Sequence, residues 1–327
     1  MKNKQILFLS ANDIKNVISM KEAIELMKDA FKQISQGKVN IPLRTHLEIA
    51  KHNGSALFMP AYSAKSDLIS LKVVTLFRNN PKINLPLIHA LVYLVDGSTG
   101  EPLAIMDGEY LTALRTGAGS GLATDYLARK DAKTLGIFGA GVQGRTQLAA
   151  VCEVREIEQI HIFDNNQEAA QMLAESMQSK IALEVNPPVD KISNCDIICT
   201  ATTSPTPVFE DLYIKAGTHI NAVGAYQADK REIPGETVIR SKLVVDQRSA
   251  CLLEAGDLII PISEKLIDED YIFAELGELI GSDKIGRSDN SEITIFKSVG
   301  NAAQDLITAE HIFKFAKESG IGTPVAL

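Results

Sequence analysis

The sequence predicts an α/β protein of two domains: a Rossmann-type parallel-sheet domain, and a second α/β domain formed by the N-terminal part with the C-terminal helix. Three observations point there. From Lys133 to about Ser298 short apolar runs alternate with helical stretches, the pattern of parallel strands joined by crossover helices. The string Gly139-Ala140-Gly141-Val142-Gln143-Gly144 directly follows one such run. At 327 residues the chain also exceeds the size at which one hydrophobic core keeps growing. The expected division is 1–118 with 299–327 as one domain and 119–298 as the other.

Taken in order, residues 5–9 read as a short strand, and Ser19 with Glu22 forms a capping box that opens a helix. Ala23, Ile24, Met27, Ala30, Phe31 and Ile34 recur there at helical spacing, up to Gly37. Strand-like runs broken by turns follow at 43–50, 55–60, 68–77 and 88–96, which predicts an antiparallel or mixed sheet. Residues 108–129 return to a helical pattern rich in Ala and Gly. The parallel strands are predicted at 134–138, 159–163, 196–200, 218–223, 242–245 and 292–296. A last helix, from about Asn301 to Glu318, is expected to pack back on the first domain.

Composition narrows the function classes. With 45% apolar and 23% charged residues the chain has the texture of a folded enzyme. Its 33 basic residues are scattered among 41 acidic ones for a net charge of -8, which argues against nucleic acid. No apolar run is long enough for a membrane span, and no signal peptide is read, so a cytoplasmic protein is expected. Cys152, Cys195, Cys199 and Cys251 form no C-x-x-C pair and read as reduced, mostly buried small side chains with no metal role.

The glycine string gains its meaning from context. It follows the apolar run Leu135-Gly136-Ile137-Phe138 and opens a helix near Val142, so the glycines make a tight turn and the helix start offers unpaired amides to a pyrophosphate. The next strand, Ile160 to Phe163, ends in Asp164 at the spacing of a ribose-binding carboxylate. A carboxylate there bonds the 2′-hydroxyl of NAD and repels the phosphate of NADP, so NAD is expected with NADP as the lesser option. Asp164 as a helix N-cap is the competing reading.

Three cations complete the candidates. Lys72 lies in Leu68 to Phe77, a run apolar on both alternating faces, so the strand is expected to be buried on both sides. A lysine without water finds a partner or lowers its pKa, unless it snorkels from a strand end. Arg115 is read as opening the helical segment Arg115-Thr116-Gly117-Ala118, a cation at the positive end of a helix dipole that calls for an anion. Arg44 is equally readable as a surface residue.

Lys72-Val73-Val74 with Asn79 and Pro81, the run Asp96 to Ala104, Leu111 to Ala118, Gly139 to Gly144 and Lys297-Ser298-Val299-Gly300 stand in an order that resembles the ornithine cyclodeaminase and mu-crystallin family nearly end to end. The resemblance implies a homodimer whose first domain carries the substrate site and subunit contact. It implies that Arg44, Lys72 and Arg115 hold the carboxylate and the imine or amine of a small amino-acid or imino-acid substrate. Gly139, Ala140, Gly141, Val142, Gln143, Gly144 and Asp164 match the cofactor positions. Thr202 and Val223-Gly224 match strand ends bordering the cofactor, and Ser298 and Gly300 resemble a loop beside its nicotinamide.

One departure separates the activities within the family. Deaminating members carry an aspartate two residues beyond the glycine of the Val-Gly pair; here Tyr226 stands there, and the next acids are Asp229 and Glu232. The resemblance therefore implies NAD(P)H-dependent reduction of a small 2-imino acid, of the Δ1-pyrroline-2-carboxylate or ketimine reductase type or the alanine dehydrogenase type. The alternatives are ornithine cyclodeaminase, with Asp229 or Glu232 replacing the aspartate, and a non-catalytic mu-crystallin-like binding protein.

Overall fold

The computed structural model describes residues 5–177 and 181–326. The chain divides into two compact units, one running to Arg115 and resuming at Asn301, the other Thr116–Gly300. The sequence reading had placed the divisions after 118 and 298.

In the first unit β1 (Gln5–Leu9) leads into α1 (Ala11–Val17) and α2 (Met20–Ser35). Both helices open on capping boxes, Ser10 with Asp13 and Ser19 with Glu22, each satisfying two otherwise orphaned groups. The α2 residues expected at helical spacing are all buried, together with Gln33. Next come β2 (Val39–Asn40), β3 (Thr45–Ile49), β4 (Gly54–Ser63), β5 (Leu68–Phe77), β6 (Ile88–Asp96) and β7 (Pro102–Asp107). Strands β5 and β6 have the expected bounds. β7 was missed because it is short and begins on a proline behind a turn sequence. Helix α3 (Gly108–Leu127) follows.

The second unit holds β8 (Thr134–Phe138), α4 (Val142–Val154), β9 (Gln159–Phe163), α5 (Gln167–Ser176), β10 (Ala182–Val185), β11 (Ile197–Thr200) and β12 (His219–Ala222). It continues with α6 (Gly235–Ile239), β13 (Ser241–Val245), α7 (Arg248–Glu254), α8 (Gly256–Ser263), β14 (Ala274–Glu275), α9 (Leu276–Ile280) and β15 (Ile293–Lys297). The sheet order is β10-β9-β8-β11-β12-β15-β13-β14, with every described pairing parallel. From β8 the chain moves outward through β9 and β10, then returns to lay β11 and β12 on the other side of β8. In such sheets the crevice at the strand carboxyl ends, where the order reverses, takes the ligand.

The chain closes the first unit with α10 (Ala302–Ser319) and β16 (Thr323–Ala326). Its sheet runs β16-β1-β7-β6-β5-β4-β2, with β3 also beside β4, and only β1 with β7 is parallel. Helix α10 packs over β4, β5 and β6 and against α2. Beneath it lie alternate residues of the strands: Met59 and Ala61, Leu68, Ser70 and Lys72, Val92 and Leu94. The opposite face of β5 is not buried; Ile69 is 36% exposed, and Leu91, opposite Val73 on β6, is 50% exposed. The expectation of a strand buried on both sides therefore fails within this chain. Apolar residues occupy both faces, but only one is covered by α10. No described helix is long and apolar enough to cross a membrane, and the four cysteines are free, three of them buried.

A polar seam crosses the core of the second unit. The His219 ring on β12 bonds Thr294 Oγ1 (2.9 Å) and Asn221 Oδ1 (3.2 Å), and Asn221 Nδ2 donates to Thr124 Oγ1 (2.9 Å). Burial, with the Arg287 charge adding to it, holds the His219 pKa down to about 3. In the unfolded chain the imidazole takes its proton near 6.5. Stability is therefore complete above pH 6.5 and is lost as pH falls toward 3, at about 1.4 kcal/mol per pH unit. Compared with His219→Asn in urea titrations, the unmodified protein should lose about 2 kcal/mol of its lead between pH 6.5 and 5. A lead that stays constant over that range would contradict a neutral buried His219.

Candidate active site

The cationic residues meet in the first unit around a carboxylate that sequence reasoning missed. Lys72 sits mid-strand on the covered face of β5, between Met59 and Val92, and is 2% exposed. Above it the first two turns of α10 are buried all round. Asn301 caps that helix, accepting from the Ala303 and Gln304 amides, and Gln304 Oε1 accepts the Asn301 amide in return. Asp305 falls in this first turn, where the helix dipole favours negative charge. Its Oδ2 lies 2.8 Å from Lys72 Nζ and its Oδ1 accepts from Arg115 Nε at 2.9 Å. Arg115 Nη1 donates to Gln304 Oε1 at 3.1 Å. Arg44, half-buried just before β3, is near enough for its charge to act on Lys72.

Burial lowers the Lys72 pKa to about 7; Asp305 works to raise it, while Arg115 and Arg44 push it further down. Burial would raise the Asp305 carboxyl, but Arg115 and Lys72 together hold it below its ordinary value. Lys72 and Arg115 thus share one carboxylate with the Arg44 charge nearby, and the excess positive charge suits an anionic ligand.

Two sequence expectations change here. Lys72 does not snorkel. Arg115 does not open a helix, because α3 begins at Gly108, with Asp107 accepting the Tyr110 amide at its start (2.8 Å). The preceding Leu111-Thr112-Ala113-Leu114 is already helical, so Arg115 stands far from the positive helix end, and its anion is Asp305. The missed signal was a capping box, Asn301 to Gln304, followed at once by a carboxylate in a stretch otherwise dominated by Ala, Leu and Ile. A lone buried charge in such a stretch requires a partner.

In the second unit the glycine string joins β8 to α4. Gly139 has φ +97°, and a Cβ there would lie 2.5 Å from the Ala201 carbonyl oxygen. A Cβ at Gly144 would lie 1.8 Å from the Gly139 carbonyl oxygen, so the loop folds onto the first turn of the helix. Above Gly141 the space is open, Val142 beside it is 66% exposed, and the helix has no side-chain cap. Half-buried Gln143 completes that turn. Those free helix-start amides and that clearance fit the pyrophosphate of a dinucleotide. Asp164, past the end of β9, accepts the Ala140 amide (2.6 Å) and the Asn166 amide (2.7 Å). Its own backbone is clamped by Asn186, which accepts from the Asp164 amide (2.9 Å) and donates to its carbonyl (3.0 Å). The N-cap of α5 is Asn166, so the competing capping role for Asp164 falls away.

The other expected cofactor positions lie at neighbouring strand ends: Thr202 beyond β11, Val223 beyond β12, Ser298 and Gly300 beyond β15. Asp246, which the sequence did not reveal, orders the last of these loops. Its Oδ2 accepts from Ser298 Oγ (2.7 Å), the Val299 amide (3.0 Å) and the Gly300 amide (2.7 Å). Tyr226 is 37% exposed and Asp229 is exposed, whereas Glu232 is fully buried with its carboxylate engaged by the Thr202 and Gly224 amides. Glu232 is therefore no replacement for a mobile aspartate.

A glycine loop of this geometry at the reversal of a parallel sheet defines a dinucleotide-binding enzyme. The chain belongs to the Ornithine cyclodeaminase/mu-crystallin family, whose profile matches residues 4–320. It is 39% identical over 324 residues to Delta(1)-pyrroline-2-carboxylate reductase of Bacillus cereus, covering 98% of this chain and 99% of that protein. Among solved structures it is similar to Thermococcus litoralis Delta(1)-pyrroline-2-carboxylate reductase in complex with NADH and L-proline. There the TM-score is 0.94 and the identity 49%, over 98% of this chain and 100% of that one. An archaeal alanine dehydrogenase dimer with bound NAD is 34% identical with a TM-score of 0.93, covering 99% of both chains.

The Asp305 cluster makes a stability prediction. Asp305→Asn leaves Lys72 and Arg115 buried against a neutral amide and should cost about 3–5 kcal/mol in urea unfolding. Adding Lys72→Met should recover part of that loss. Strictly additive losses from the two substitutions would show that the pair is not coupled.

Proposed function

We propose that the protein reduces a small cyclic 2-imino acid, Δ1-pyrroline-2-carboxylate to L-proline, with NADH as the preferred donor. One observation carries the reading: Lys72, buried and titrating at about 7, is paired with Asp305 beside Arg115 and Arg44. That is a proton donor inside an anion-holding cluster. The reductases from Bacillus cereus and Thermococcus litoralis support the choice of substrate.

Arg115, with Nε and Nη1 engaged by Asp305 and Gln304, keeps Nη2 for the substrate carboxylate, and Arg44 shares that load. Fixing the carboxylate orients the imine and makes transfer effectively unimolecular. Lys72 carries its proton at Nζ near neutral pH and gives it to the imine nitrogen. A dinucleotide held at the Gly139–Gly144 loop and Asp164 would supply the hydride that the imine carbon receives. The C=N bond thereby becomes CH–NH. At the adenosine end, Asp164 accepts a ribose hydroxyl and repels a 2′-phosphate, which favours NADH over NADPH. Tyr226 offers only a phenol, a poor base at neutral pH, where deamination needs an acid residue.

NADH and NADPH oxidation should be followed with pyrroline-2-carboxylate, piperideine-2-carboxylate, and pyruvate plus ammonia, beside ammonia release from L-ornithine. Expected is stoichiometric NADH oxidation with a cyclic imino acid, falling above about pH 7 as Lys72 loses its proton. Asp305→Asn should move that fall to lower pH, since Asp305 raises the Lys72 pKa. Sustained ammonia and proline formation from ornithine without added NADH would overturn the reductase reading.

The same reading includes a homodimer. The uncovered face of the first sheet carries Leu47 (52% exposed), Ile69 (36%) and Leu91 (50%), an apolar surface of the kind that association covers. The similar alanine dehydrogenase is a dimer. Sedimentation should give a dimer for the unmodified protein and a monomer for Ile69→Lys with Leu91→Glu. A monomeric unmodified protein would refute it.

A further inference from the structure

In the second unit two strand-end loops converge on one carboxylate. Glu232 Oε1 accepts the Thr202 amide (2.6 Å) and hydroxyl (2.7 Å) beyond β11. Its Oε2 accepts the Thr200 hydroxyl (3.0 Å), then the Gly224 (2.8 Å) and Ala225 (3.1 Å) amides beyond β12. A second layer holds Glu232 in turn. Asp257, in the first turn of α8, takes the Glu232 (2.6 Å) and Ile233 (3.0 Å) amides on Oδ1. Lys297, the last residue of β15, pairs with Asp257 Oδ2 (2.7 Å) and donates to the Ala225 carbonyl (2.6 Å).

All three charged residues are buried, at 0%, 2% and 0% exposure for Glu232, Asp257 and Lys297. Two glycines show how closely the parts fit. A Cβ on Gly224 would come within 2.5 Å of both Glu232 carboxylate oxygens and of the Thr202 carbonyl, and one on Gly256 within 2.0 Å of the Lys230 carbonyl. Desolvating two carboxylates and a lysine is costly, and apolar residues would pack the space as stably. What apolar residues cannot do is fix several backbone amides at once. A carboxylate whose partners are all donors does so from both loops.

We infer that Glu232, held by Asp257 and Lys297, is a positioning residue for the nicotinamide half of the cofactor. It sets the backbone of Thr202 and of Gly224-Ala225, the two strand-end edges on that half's side of the sheet reversal. The adenosine half depends on separate parts, the Gly139–Gly144 loop and Asp164. The same clamp grips the Ala225 peptide by its amide and its carbonyl, and so fixes the stem from which Tyr226 projects. The inference rests on the proposed use of a nicotinamide dinucleotide.

Affinities for NADH and for ADP-ribose, which lacks the nicotinamide, separate positioning from general damage. Glu232→Gln keeps the size but turns an NH2 group toward donors in either orientation. It should weaken NADH by about tenfold or more, the scale of one hydrogen bond to a charged group, and leave ADP-ribose within about twofold. Thr200→Val removes only the buried hydroxyl bond to Oε2. It should show the same one-sided loss at a smaller size, and it serves if the Gln variant does not fold. Equal weakening of both ligands, or of neither, would overturn the inference. Because both titrations are run without substrate, a protein that binds NADH yet reduces no imino acid fails the proposed function alone. An unmodified protein that binds neither ligand overturns both.

Discussion

The arrangement of the first unit depends on one buried carboxylate. Asp305 enters the interior on the first turn of α10, and nothing in the apolar surface of that helix could stabilise it alone. Lys72 from the sheet and Arg115 from α3 compensate it, so strand, helix and C-terminal helix are tied at a single point although their residues are far apart in sequence. The two cations are useful chemically because the compensation is incomplete. The one carboxylate they share does not offset burial and the added charge of Arg44, which together with Arg115 bring the Lys72 pKa down to about 7 and leave positive charge for a ligand. Full neutralisation would produce a stable core with no affinity for an anion. Two carboxylates would hold the lysine proton too tightly to give it up.

The second unit uses its carboxylates differently. Asp164, Asp246 and Glu232 each accept backbone amides at the carboxyl end of a strand or in the loop that follows it. Loops that approach a ligand closely cannot be braced by bulky side chains on the ligand side. An acceptor placed beneath them gathers their amides from the protein side. This explains why glycines and amide-accepting acids occur together here: Gly139 and Gly224 give the clearance, and the acids supply the order that glycine lacks.

The sequence made the parallel sheet legible almost to the residue. Each of its strands from Thr134 to Lys297 that sits away from the edges is a short apolar run bounded by turns, and periodicity detects such runs directly. Edge strands β10 and β14 and proline-led β7 escaped because they are short and carry a weaker apolar signal. Lys72 stood out as a charge in an apolar stretch, and Arg115 as a cation read at a helix start. Asp305 did not, because a carboxylate one residue past a capping box looks like an ordinary first-turn acid until the helix proves to be buried all round. Covering of that kind is a property of the assembled fold. It also decides that β5 has one covered face, where the sequence shows two apolar ones.

Charge balance also bears on the direction of the chemistry. A diamino acid brings two ammonium groups for one carboxylate, and it would set them beside Arg44, Arg115 and a lysine already driven to about 7 by burial and its cationic neighbours. A cyclic imino acid brings the carboxylate without a fixed ammonium and accepts a proton from the group the site has made most ready to give it. To favour the diamine, a site with these cations needs a second negative charge, and the position where the family resemblance implies an aspartate in deaminating members holds Tyr226. Asp229, close by in sequence, is exposed, and Glu232 spends its oxygens on five donors. The acid residues of this segment are thus committed to solvent or to loop order. Lys72, brought down to about 7, is the group of this cluster placed to donate a proton, as the proposed imine reduction requires.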